Sequence, residues 1–332
     1  MPTTFAVFGS GGWGTAIALL LAQDPDHRVR LWSAREETGQ ALRECRENAR
    51  LLPGSRIPES ILLTTDAHEA ADGANGWVIA VPTVYLRTTS ERLKPARTRD
   101  VPVISLTKGI ESGTFLRPSE ILAEILGTER LAVLSGPSHA EEVAAGLPTS
   151  VTIAASDLGI AAWAQQHFTT DRFRVYTNPD LIGVELAGAL KNVIGIAAGL
   201  CDGLNLGDNA KAALLTRGLV EMTRFGVAFG AEPATFQGLA GMGDLITTCF
   251  SRHGRNRRVG ERLAKGESVE AVLAGPQVAE GVNTARSIHE RCERMGVDAP
   301  IMTSVYEVLF HAKAPIAAVQ SLMTRRPKPE TI

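Results

Sequence analysis

Aromatic residues are scarce in this chain, 5% of 332 residues, and cysteines number four. Cys45, Cys201, Cys249 and Cys292 lie far apart and make no C-x-x-C pair. That pattern gives neither a disulfide framework nor a structural zinc site, and it suits a reducing cytoplasm. An excess of one charge is also missing: 34 Lys and Arg face 36 Asp and Glu, a net charge of −2. Without a basic field, nucleic acid is not an expected partner. A small acidic molecule stays admissible, because it needs only a local basic pocket. The seven histidines form no H-E-x-x-H and no clustered ligand spacing, so no metal site is expected. No fixed-period repeat is visible. What is present is a chain that is 44% hydrophobic with 32 glycines, enough for two domains with separate cores.

The apolar stretch from Phe5 to Ala22 needs a decision between a membrane segment and a buried strand, turn and helix. No Lys or Arg precedes Arg28, and glycines, Ser10 and Thr15 interrupt the run. A signal or integral membrane segment is therefore not expected. The first part of the chain then alternates. Strands are predicted at Thr3–Phe8, Arg28–Trp32, Ile61–Thr64, Trp77–Val81, Val101–Ser105 and Leu131–Leu134, with helices at Trp13–Ala22, Arg35–Ala49 and Leu116–Leu126. Such alternation predicts a parallel sheet covered by helices. Val151–Ala155 and Phe173–Tyr176 read as late additions to it. Beyond Asn178 and Pro179 strand signals nearly vanish, and helices are predicted at Asp180–Leu200, Ala210–Phe229, Val259–Lys265, Thr284–Arg294 and Pro300–Leu309. The expected fold is an α/β N-terminal Rossmann-type domain over residues 1–180 and an all-α C-terminal domain over residues 181–332. The tail from Thr324, with two prolines, is expected to fray.

Gly9, Gly11 and Gly14 form G-x-G-x-x-G between a predicted strand and a predicted helix, the context in which the pattern signals dinucleotide binding. The first glycine serves a tight turn, the second the approach of a pyrophosphate, the third close helix packing, and the helix N-terminus offers N–H groups to the anion. Gly12 and Trp13 complete the candidate turn. NAD sites usually carry a carboxylate at the tip of the second strand. Here that strand ends in Ser33, Ala34 and Arg35, and Arg35 suits a 2′-phosphate. NADP, or both NADP and NAD, are the expected cofactors.

Several runs together carry a family resemblance: Gly11 to Ala16, Thr107-Lys108-Gly109, Leu134 to Ser138, Val175 to Asp180, Glu185 to Val193, Gly241 to Leu245 and Arg255 to Arg258. In this order and over nearly the whole chain, the sequence resembles bacterial NAD(P)-dependent glycerol-3-phosphate dehydrogenases. The resemblance implies reduction of dihydroxyacetone phosphate to sn-glycerol 3-phosphate for phospholipid synthesis, and a homodimer. It places Trp13, Arg35, Ala140, Val278 and Glu280 around the cofactor, with Lys108 and Arg255 reaching it too. Lys108, Gly136, Ser138, Asp244, Arg255 and Asn256 fall at substrate positions, and Lys191 at that of the proton-transfer residue. Two positions depart from the pattern: Gly254 stands where members often have Ser, and Ser10 where Ala is more usual.

The residue chemistry agrees with this on its own terms. Reducing a ketone by hydride leaves negative charge on oxygen, which calls for a proton donor and fixed positive charge. Lys191 follows an Ala/Gly/Leu stretch, where a buried ammonium needs a partner; the plainer alternative is a lysine whose head snorkels to water. Lys108, just past a strand's carboxyl end, either holds substrate, lowers the pKa of Lys191 by repulsion, or is an ordinary loop lysine. Asp244 is the expected counter-charge of Lys191, or a helix N-cap. Arg255, Asn256, Arg257 and Arg258 suit a phosphate, with at least one of Arg257 and Arg258 solvated. Ser135 to Ser138 is not G-x-S-x-G, so no hydrolase elbow is indicated, and His139, with no partner Asp nearby, is expected to start a helix over 139–145. Competing readings are a related dehydrogenase of another small hydroxy acid or sugar acid, and a non-catalytic NAD(P) sensor.

Overall fold

The computed structural model describes residues 2–251, 254–274, 279–327, 329 and 330. They form two compact units, residues 1–107 with 117–181, and residues 108–116 with 182–332. The division differs from a single cut after residue 180, because the short segment 108–116 groups with the helical unit.

The first unit runs β1 (Thr3–Phe8), α1 (Gly12–Leu21), β2 (His27–Trp32), α2 (Glu36–Cys45), β3 (Ile61–Thr64), α3 (Ala67–Ala71), β4 (Gly76–Ile79), α4 (Thr83–Leu93), β5 (Val103–Ser105), α5 (Pro118–Leu126), β6 (Leu131–Ser135), α6 (Ala140–Ala144), β7 (Thr149–Ala154), α7 (Leu158–Phe168) and β8 (Phe173–Asn178). The strands make one sheet in the order β3-β2-β1-β4-β5-β6-β7-β8. All pairs are parallel except β6 with β7. Helices on both faces explain why β1 is a continuous apolar run, buried from Thr4 to Phe8. At the β8 edge the pattern alternates instead, with Phe173 and Val175 buried and Arg174 and Tyr176 exposed.

The predicted helix over 35–49 ends at Cys45, because Arg46 turns left-handed at φ 50°. Helices α3, α4 and α7 go beyond the sequence prediction. Helix α4 is rich in Thr and charge, yet buries Leu86 and Leu93, so packing overrides weak propensity.

The second unit contains α8 (Leu181–Gly203), α9 (Gly207–Ala228), α10 (Pro233–Gln237), α11 (Asp244–Phe250), α12 (Arg255–Ala264), α13 (Val269–Leu273), α14 (Glu280–Met295), α15 (Pro300–Phe310) and α16 (Pro315–Met323). A π-helical turn, Leu239–Gly243, leads into α11. Helix α8 is its core: every residue from Gly183 to Leu200 is buried, including the polar Glu185, Lys191 and Asn192 within an otherwise apolar helix. It is long and apolar enough to cross a membrane, but 89% of its most apolar window is buried within the protein. Segment 108–116 joins this unit through Phe115, whose ring stacks on Phe229 at 5.0 Å and lies under the Arg291 guanidinium at 4.7 Å.

Candidate active site

In the first unit, the glycine turn follows β1 beside β4, where the strand order reverses. Ligands of open α/β sheets bind at such switch points, beyond the carboxyl ends of the strands. Gly9 has φ +117°, and a Cβ there would stand 2.5 Å from the Ala80 carbonyl oxygen. A side chain is excluded on both counts. A Cβ on Gly11 meets nothing within 4 Å, so the backbone there faces open space of the kind a pyrophosphate fills. The Trp13 indole N–H is buried with no hydrogen-bond partner among the described residues. The turn therefore fits a dinucleotide.

Ser10 is accommodated by bonding: its hydroxyl accepts from Ser33 Oγ at 2.7 Å, and its carbonyl accepts from Asn48 Nδ2 at 2.9 Å. Asn48 also donates to Thr15 Oγ1 at 3.0 Å. It has no motif around it in the sequence, so pattern reading passes over it. Arg35 is exposed at the N-cap of α2. Beside it, Arg92 donates to the Ala34 carbonyl at 2.7 Å and stacks over Trp32 at 5.0 Å, a second cation at the tip of β2 that the sequence reading omits. Ala140 opens α6, next to Gly12, whose Cβ position lies 3.8 Å from the Ala140 methyl. His139 is the N-cap of that helix. Gly136 has φ +133°, and its carbonyl accepts from Ser138 Oγ at 2.9 Å. Val278 lies outside the described residues.

In the second unit, Lys191 and Lys108 meet on one carboxylate. Lys191, on α8, is 7% exposed and donates to Asp244 Oδ1 at 2.9 Å and Thr248 Oγ1 at 2.7 Å. Lys108 donates to Asp244 Oδ2 at 2.8 Å. Lys191 therefore does not snorkel, and Asp244, the first residue of α11, is not its cap, which is Gly243. Burial lowers Lys191, Asp244 pulls it back up and Lys108 pushes it down again, to about 8. Burial alone would raise the Asp244 carboxyl, but Lys108 and Lys191 outweigh it and hold it below the usual carboxylate range.

A buried amide chain adjoins this centre. Asn192 donates to the Lys108 carbonyl at 3.1 Å and accepts from Asn256 Nδ2 at 2.9 Å. Asn256 Oδ1 accepts from the Gly281 N–H at 3.0 Å, one residue past Glu280, which opens α14. The Asn256 amide carries a second N–H that these bonds do not use. Arg255 and Arg258 are exposed at the start of α12, and Arg257 is half-buried. Asn192 and Thr248 do not stand out from sequence pattern alone. The signals for them were adjacency to Lys191 and the i, i+4 spacing from Asp244 on one helix face. At Gly254 a Cβ would lie 2.9 Å from the Thr248 carbonyl, so this turn, as folded, leaves no room for a serine side chain.

Comparison with known proteins gives a consistent result. Residues 4–161 match the family model for the N-terminus of NAD-dependent glycerol-3-phosphate dehydrogenase, and residues 180–320 that for its C-terminus. The chain is 49% identical over 328 residues to glycerol-3-phosphate dehydrogenase (NAD(P)+) of Geobacillus thermodenitrificans, covering 98% of this chain and 95% of that one. It is 48% identical to the Chlorobium phaeobacteroides protein of the same name, covering 98% of each. The crystal structure of glycerol-3-phosphate dehydrogenase from Coxiella burnetii superposes with a TM-score of 0.92 at 38% identity, covering 98% of this chain and 99% of that one. With both family models matched in order and relatives near half identity over almost the full length, the chain belongs to the NAD-dependent glycerol-3-phosphate dehydrogenase family.

Proposed function

We propose that the chain reduces dihydroxyacetone phosphate to sn-glycerol 3-phosphate, reversibly, with NADPH or NADH. The observation that carries this reading is Lys191: a buried ammonium, paired to Asp244 and held near pH 8. The bound nicotinamide supplies the hydride. Lys191 supplies the proton that the carbonyl oxygen then needs, and Asp244 and Thr248 fix the direction of its head. Lys108 adds a second positive charge where negative charge develops. Arg255 and Asn256 hold the phosphate of the substrate. The Gly9 to Gly14 turn and Ala140 hold the dinucleotide, and Arg35 favours its 2′-phosphate form.

The direct test is turnover. NADPH oxidation with dihydroxyacetone phosphate, and little with unphosphorylated dihydroxyacetone, is the expected outcome. Loss of NADPH signal with neither would rule the reading out. The family resemblance further supports a cytoplasmic homodimer that supplies glycerophospholipid synthesis. Light scattering at micromolar concentration checks the dimer.

A further inference from the structure

Arg257 belongs to the basic run that opens α12, but its guanidinium does not face solvent alone. Its Nε donates to Asp202 Oδ2 at 2.5 Å, Nη2 to Glu261 Oε1 at 2.7 Å and Nη1 to the Ser251 carbonyl at 3.4 Å. Asp202, at the end of α8, also takes both of its oxygens to Lys211 Nζ at 2.9 Å. Lys211 is itself buried on α9, with its ammonium 4.6 Å above the Phe250 ring. Two cations from different helices thus converge on one carboxylate. The helices carrying Asp202 and Arg257 are in backbone contact: a Cβ on Gly199 would stand 1.8 Å from the Arg257 carbonyl, and one on Gly260 2.0 Å from that of Ile196.

We propose that Asp202 and Arg257 are positioning residues for the phosphate-binding end of the site, acting through Arg255 and Asn256 on the same helical turn. The inference rests on the reading of those two residues as phosphate ligands. Arg257 ties the first turn of α12 to the end of α8 and to Ser251 at the end of α11, which sets where Arg255 and Asn256 stand. Lys191 lies on α8 well before Asp202 and takes its own partners from Asp244 and Thr248. The clamp therefore acts first on substrate binding, while Lys191 keeps its own partners.

The test compares Asp202→Asn and Arg257→Lys with the wild type, using NADPH. Asp202→Asn is expected to raise KM for dihydroxyacetone phosphate by up to about a hundredfold, the scale of loss that a misplacement of about 1 Å can cause. The inhibition constant of inorganic phosphate is expected to rise in parallel. The pH midpoint of kcat and the affinity for NADPH are expected to hold, and Asp202→Glu to recover part of the loss. If Asp202→Asn fails to fold, Arg257→Lys decides alone: it keeps the charge but loses the fork, and its KM should rise with the midpoint unmoved. An unchanged KM, or a shifted pH midpoint, overturns the proposal while the wild type stays active. A wild type inactive on dihydroxyacetone phosphate overturns the functional reading, and this one with it.

Discussion

An ammonium as deeply buried as Lys191 keeps its proton only while Asp244 offsets the lost hydration, and at about 8 the balance is close. The sign follows for each direction. With Lys191 as the proposed proton donor, the rate of reduction should fall as pH rises through about 8, and that of oxidation should rise over the same range. Lys108→Met removes the repulsive neighbour, so the midpoint should move up in a pH profile of the oxidative reaction. A midpoint that stays or falls would exclude Lys108 as a control on Lys191. Lys191→Met keeps the stem and removes the ammonium. Turnover should drop by about 10²–10⁴-fold, the range of general acid catalysis, with NADPH binding retained by fluorescence titration. Near-normal turnover would take Lys191 out of the mechanism. At the tip of β2, Arg35→Ala should weaken NADPH by roughly ten- to a hundredfold, the loss of one charge-assisted contact, and NADH far less. Equal weakening would assign Arg35 to the fold.

Among the helices, α15 begins on borrowed acceptors. Its N-cap is Ala299, which makes no side-chain cap, and Pro300 follows. Glu221 of α9 accepts from the Ile301 and Met302 N–H groups at 2.9–3.1 Å instead. Burial pushes its carboxyl up to about 7; the two N–H groups and Arg224 oppose this, and Asp298 adds to it. The folded value exceeds the unfolded one. The stabilisation is therefore complete below about 4.5 and is lost as pH rises through about 7. Glu221→Gln removes the titration. Urea melts between pH 5 and 8 should show the stability difference moving toward the variant by up to about 3 kcal/mol. A constant difference would place the titration of Glu221 outside that window.

The whole chain does not divide at one point. Residues 108–116 leave the sheet-bearing unit and belong to the helical one. They bring Lys108 to Asp244 and Phe115 to Phe229, the latter with φ +65°, a backbone state that a bulky residue holds only when its surroundings insist on it. Residues 182–332 expressed alone lose both. That fragment should show weakened near-UV circular dichroism, which restoring 108–116 through a linker recovers. A fragment with full near-UV signal and a sharp melt would show that the segment is dispensable.

Much of the architecture is written locally. Central strands such as β1 and β4 read as nearly unbroken apolar runs, the glycine turn is set by contacts within a few residues and with Ala80, and the long first helix of the second half follows from its Ala, Gly and Leu content. A short helix at His139 and at least one solvated arginine of the pair Arg257 and Arg258 also follow from local pattern. Helix α4 does not, because its propensity is weak and packing supplies the stabilisation; α7 carries three alanines and an Asp157 N-cap, local signals that pattern reading passes over. The centre is decided last. Sequence chemistry nominates Lys108, Lys191 and Asp244, but the pairs span 136 and 53 positions. Only the packing of α8, α11 and segment 108–116 brings two ammonium groups onto one carboxylate. A pKa near 8 depends on how completely that packing excludes water, and the clamp of Asp202 on Arg257 depends on glycines letting two backbones touch.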